Sequence, residues 1–144
     1  MPDQMDAFAK AFVSALPHAR ALGITLRSSG PAVAEVEMPY DPKLIGDPRT
    51  KVVHGGAVSA LMDTCCGVSV FMHPEAAGST ATIDLRIDYM RAAIPGQTIL
   101  ASAECFHVTR SVAFVRAKAF DDDRENPVAT ATGAFTFTRK EKST

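Results

Sequence analysis

Residues 52–72, VVHGGAVSALMDTCCGVSVFM, constrain the fold more than any other stretch of this chain. From Ala57 to Met72 there is no proline and one internal glycine, a run longer than the usual strand and long enough for a helix of about four turns. Asp63 is the only charged residue in it. A helix that is apolar on all sides is normally buried, so other elements should cover most of its circumference. A sheet wrapped around it would do so.

The flanking sequence supplies such a sheet. Residues 2–16 place Met5, Phe8, Phe12, Val13 and Leu16 at the spacing of an amphipathic helix, with Asp3 or Asp6 to cap it and Pro17 to stop it. Residues 21–28 and 32–38 read as a hairpin about the turn signal Ser29-Gly30-Pro31. Residues 39–51, PYDPKLIGDPRTK, hold three prolines and one glycine and should form a loop, and a loop this long feeding a buried helix is often functional. After His73-Pro74 ends the helix, residues 80–91, 98–107, 112–121 and 127–139 are strand candidates in meander order, followed by a polar tail at 140–144. In the first of these, Thr82, Asp84, Arg86 and Asp88 share one parity and Ile83, Leu85, Ile87 and Tyr89 the other, the pattern of a half-buried strand. The 144 residues therefore read as a single α+β domain, a helix layered on an antiparallel sheet.

Composition narrows the function. A net charge of −1, with 47% hydrophobic and 22% charged residues, gives no electrostatic grip on nucleic acid or an anionic membrane, so a small molecule is the expected partner. Three cysteines, two of them adjacent at Cys65 and Cys66, suit neither a disulfide framework nor a metal site, and free thiols fit a reducing cytoplasm. The N-terminal MPDQMDAFAKAF lacks the basic and apolar regions of a secretory signal. The run at 57–72 is short of a membrane span, and Asp63 would be costly in lipid. His18, His73 and His107 show no ligand spacing, and neither a metal nor a cofactor is expected.

Chemistry concentrates at the ends of the central run. Gly55 and Gly56 sit where loop becomes helix, so their N–H groups are among the unpaired donors of the first turn and can polarise an acyl oxygen, unless the pair merely makes a tight turn. Asp63 within an apolar helix needs pairing, a hydrogen bond or a solvated pocket, and such an acid serves either structure or catalysis. Eight residues of helix separate Gly55 from Asp63, roughly 12 Å, whereas a reacting carbon lies about 3 Å from both nucleophile and oxyanion donor. If both act, Asp63 of one subunit must face Gly55 of another, which predicts a two-fold homodimer with composite sites. His54 either orders the loop or reaches a substrate oxygen. The cysteines lack an activating base, and GGAVS around Ser59 is not a nucleophile elbow. Arg49, Lys51, Arg86, Arg91 and Arg110 are basic residues able to hold phosphates or simply to face solvent, with Arg110 and Ser111 favoured by their turn position.

The combination of Val53-His54-Gly55-Gly56 opening a helix with Leu61-Met62-Asp63-Thr64, then Ile83-Asp84-Leu85 and Ile87-Asp88-Tyr89-Met90, resembles the hotdog-fold acyl-CoA thioesterases, in particular their phenylacetic-acid-degradation (PaaI-like) branch. The resemblance spans residues 23–138. It implies a long antiparallel sheet curled around the central helix, assembled as dimers and as dimers of dimers, hydrolysing an acyl-CoA to free acid and CoA. It implies that Gly55 donates its N–H to the thioester oxygen, that Asp63 of the other subunit attacks the carbonyl or activates water, and that Thr82 positions that water. Many similar enzymes carry an Asn about six residues before the His; Gly46-Asp47-Pro48-Arg49 stands there instead, with Asp47 as a possible substitute. Catalytic candidates are thus Asp63, Gly55, His54 and Thr82, and substrate-binding candidates Gly56, Asp47, Arg110, Ser111 and Arg86. An acyl-thioester dehydratase and a non-catalytic acyl-CoA-binding protein are the competing readings on the same fold.

Overall fold

The amphipathic N-terminal segment forms helix α1 (Pro2–Ala15) in the computed structural model, which describes residues 2–142. It buries Ala9 and Val13. Pro17 does not end helical structure there. Leu16 is extended (φ −77°, ψ 114°), and Pro17 opens a second short helix, α2 (Pro17–Leu22), since a fixed φ and a missing N–H suit a first helical position. The strand expected from residue 21 consequently begins later, as β1 (Thr25–Gly30), which pairs with β2 (Val33–Met38) in the expected hairpin.

A proline-rich loop then leads to the central helix α3 (Gly55–Phe71), and β3 (Thr82–Tyr89), β4 (Ile99–Val108), β5 (Val112–Phe120) and β6 (Ala129–Thr136) complete the chain. All six strands form one antiparallel sheet in the order β1-β2-β4-β5-β6-β3. The last four strands are therefore not a simple meander. β4, β5 and β6 follow one another, but β3 pairs with β6 and lies at the far edge. Arg86 and Asp88 are exposed on this edge strand, whose outer backbone groups have no neighbouring strand within the chain. Only Leu85 and Ile87 of its apolar parity are half-buried, while Ile83 and Tyr89 stay 56% and 51% exposed.

The sheet packs α3 against its inner face, chiefly through β2, β4 and β5. Alanines at 101, 103, 113, 117 and 119 leave room for the helix to come close, and Leu61, Met62, Cys65 and Val68 fill the space between. The sheet covers most of the circumference of α3, as expected, and leaves one side open within the chain. Ser59, Ala60, Asp63, Thr64 and Gly67 form a half-exposed stripe, continued by exposed Gly55 and Gly56. This open side is made of small residues plus the one acid.

A bulge in β3 sets which residues reach α3. The register with β6 shifts between Thr82 and Asp84, the Asp84 carboxylate accepts the Ala134 N–H at 3.1 Å, and Gly133 lies opposite. A Cβ at Gly133 would come within 2.5 Å of the Asp84 carbonyl oxygen, so only glycine lets the two backbones approach this way. An unbroken strand would place Thr82 on the face of Arg86 and Asp88. The extra residue turns it instead to the face of Leu85, Ile87 and Tyr89, toward α3.

Candidate active site

The HGG turn is held from three directions. Residues 39–51 fold back on themselves: Pro42–Leu44 form one 3₁₀ turn, Ile45 bridges Val53, and the His54 N–H donates to the Leu44 carbonyl at 2.7 Å. Gly46 packs against the His54 backbone so closely that a Cβ there would lie 2.7 Å from the His54 Cα. His54 itself is the N-cap of α3, with Nδ1 accepting the Gly56 N–H at 2.8 Å. Since Nδ1 accepts, the ring proton sits on Nε2. On the far side, the Tyr89 hydroxyl donates to the Gly55 carbonyl at 2.7 Å and also meets Ser59 Oγ. The Ala57 N–H donates to the His54 carbonyl. Between these bonds, the Gly55 N–H has no acceptor among the described residues.

Asp63 lies two turns further along on the same open stripe. It is half-exposed, and Thr82 Oγ1 donates to its Oδ1 at 2.7 Å; Oδ2 has no partner among the described residues. The edge strand thus touches α3 at both of the candidate positions, through Thr82 at Asp63 and Tyr89 at Gly55. Beside Gly55, a cavity of about 280 Å³ is lined by Val52, Val58, Tyr89, Met90 and Ala93.

Other candidates sit elsewhere. Asp47 is engaged within its own loop, accepting the Arg49 N–H at 2.9 Å, and its backbone carbonyl accepts the Lys51 N–H. Arg86 pairs with Asp88 on the solvent side of β3, away from Asp63. Arg110 and Ser111 form the exposed turn between β4 and β5, at the same end of the sheet as Thr82 and two strands across from it. Arg91 is not available for phosphate. Its guanidinium holds the Asp121 carboxylate with two bonds of 2.6 Å, and Asp121 is only 3% exposed. Asp121 also accepts the N–H groups of Ile94 and Asp123, and the Arg91 guanidinium keeps its carboxyl well below the usual carboxylate range. This clamp anchors the segment after Tyr89 to the turn before β6.

The thiols are placed for packing. Burial, with the neighbouring charges of Asp63 and Cys105, pushes Cys66 up to about 12, and burial raises Cys65 well above its ordinary value. At neutral pH neither supplies a thiolate. Tyr89 is the member of the site that residue-by-residue reading passed over. Its place in the run Ile87-Asp88-Tyr89-Met90 was visible, but only the pairing of β3 with β6 brings its hydroxyl to α3.

A six-stranded antiparallel sheet curled on one long helix, with a capped glycine turn at the helix start and an acid two turns later, defines the hotdog class of α+β protein. Residues 50–128 match the thioesterase superfamily, and the chain belongs to that family of thioester hydrolases. Among curated proteins it is similar to the medium/long-chain acyl-CoA thioesterase YigI of Salmonella typhimurium, 26% identical over 137 residues that cover 86% of this chain and 87% of the relative. A crystal structure of a Pseudomonas aeruginosa protein superposes with a TM-score of 0.82 at 40% identity, covering 92% of this chain and 98% of the other. The PaaI protein of the Escherichia coli phenylacetic acid degradation operon shares the fold, with a TM-score of 0.79 at 22% identity over 94% of this chain and 92% of that one.

Proposed function

We propose that this protein hydrolyses acyl-CoA thioesters to a free acid and CoA, at sites built from two copies of the chain. The observation that carries the reading is the open stripe of α3, which presents an unclaimed N–H at Gly55 and a half-exposed carboxylate at Asp63. The free N–H stands at the positive end of the helix dipole and receives the charge that develops on the thioester oxygen. Asp63 acts as general base on water or as nucleophile on the carbonyl carbon, and Thr82 holds one carboxylate oxygen in place while its own lone pairs remain able to accept from that water. His54 caps the turn that carries the oxyanion donor.

The separation of the two groups, roughly 12 Å along the helix, requires that Gly55 of one subunit meet Asp63 of its partner. The small residues between them let two such helices approach, and the free edge of β3 offers a place for the sheet to continue into the second copy. Dimers of such dimers would meet on the outer sheet face, where Val33, Phe106 and Phe114 are exposed. Chemistry rests on no cofactor, CoA being part of the substrate.

The test is thiol release over short, long and aromatic acyl-CoAs, with medium and long chains first because the YigI relative is named for them. Asp63→Asn retains shape and the bond from Thr82 while removing the base, so turnover should fall by about 10²-fold or more with the fold intact. Turnover by that variant close to wild type would remove Asp63 from the mechanism. Absence of thiol release from every ester would remove the hydrolase reading itself.

A further inference from the structure

The direction of the hydrogen bonds at Tyr89 follows from elementary donor counting. A carbonyl only accepts, so the single phenolic proton goes to the Gly55 carbonyl. The contact with Ser59 must therefore run the other way, with the Ser59 hydroxyl donating to the Tyr89 oxygen. The peptide unit that joins Gly55 to Gly56 is then gripped at both ends, its carbonyl by Tyr89 and its N–H by His54 Nδ1. We infer that Tyr89, supported by Ser59, is a positioning residue that fixes this peptide unit and so aims the adjacent Gly55 N–H at the thioester oxygen. The inference rests on the thioesterase reading above and assigns Tyr89 no contact with the reacting atoms.

A brace is needed here because of how α3 begins. Helix α2 opens on proline, whose ring fixes the first φ. Helix α3 opens on two glycines, the residues with the greatest backbone freedom. An oxyanion donor, however, has to be held to within about half an ångström of its productive position. Rigidity that the backbone does not supply must come from side chains, and the Tyr89 ring lies against Gly55 as well: a Cβ at that position would be 3.5 Å from it. The clamp of Arg91 on Asp121 in turn anchors the chain two residues after Tyr89.

Tyr89→Phe removes the hydroxyl and keeps the ring, and it separates this role from mere packing. Removing a whole oxyanion donor costs about 10²–10³-fold, so misdirecting one should lower kcat by about tenfold, with KM changed by less than about twofold. Ser59→Ala should act in the same direction and less strongly. A second readout does not depend on turnover: the Gly56 amide, held now by His54, should exchange its hydrogen about tenfold faster in Tyr89→Phe, while amides in the buried middle of α3 keep their rates. The inference is overturned if Gly56 exchange is unchanged, or if kcat stays within about twofold of wild type and only thermal stability falls. A wild-type chain without thiol release, or an Asp63→Asn variant as fast as wild type, counts against the parent reading, and Gly56 exchange still decides whether the brace exists.

Discussion

As the proposed oxyanion donor, Gly55 can be asked a sharper question than most, because its side chain and its N–H can be varied separately. A Cβ at this position meets the Tyr89 ring at an ordinary 3.5 Å, so Gly55→Ala should keep the N–H, the helix and most of the turnover. Gly55→Pro deletes the N–H, and Gly55→Ala controls for the added Cβ. Position 55 is the first helical residue, where proline is favoured, and His54 before it is already extended (φ −60°, ψ 135°), as a residue preceding proline must be. The expected outcome is a melting temperature near wild type with turnover down by about 10²–10³-fold, read by circular dichroism and thiol release on the same sample. A proline variant that keeps its activity would place the oxyanion elsewhere. The candidates at this scale were readable from residue types: two glycines at a helix start and one acid in an apolar run are anomalies that demand a reason. Thr82 entered only through the family resemblance. Its sequence parity puts it with Arg86 and Asp88, and a one-residue bulge, which parity counting cannot see, turns it to Asp63.

Helices and strands repeat this contrast between local and distant causes. Each expected strand exists, since alternation and turn signals are local, but the place of β3 beside β6 depends on pairings some fifty residues apart that no local pattern encodes. Pro17 shows the same limit in small: proline both ends and begins helices, and the extended Leu16 decides which. The clamp between the β3 exit and the β5–β6 turn has a measurable consequence. In the folded chain Asp121 titrates well below its unfolded value of about 3.9, so as pH falls below that value protons bind the unfolded chain first and stability declines until the folded carboxyl is also protonated. Above that range its full contribution is present. Asp121→Asn should therefore lose about 3 kcal/mol at pH 7, where it leaves Arg91 without its anion, and should show a flatter decline below pH 4 than wild type in denaturant titrations. Equal pH dependence of the two proteins would contradict the assignment.

At the scale of the whole molecule, the proposed composite site makes a prediction that a site within one chain cannot imitate. A chain carrying Gly55→Pro and a chain carrying Asp63→Asn should each be nearly inactive alone. Refolded together, they form mixed dimers in which one site carries both lesions and the other neither, so random pairing should restore roughly a quarter of wild-type turnover. No recovery on mixing would place both groups in one subunit. The open stripe on α3 then has a consequence beyond geometry. If half of each site arrives with the second copy, output rises with the square of chain concentration when chains are scarce and linearly when they are plentiful. A cell that dilutes this protein would silence it without modifying a single residue, and an assay run too dilute would record a poor enzyme where there is only a lonely one.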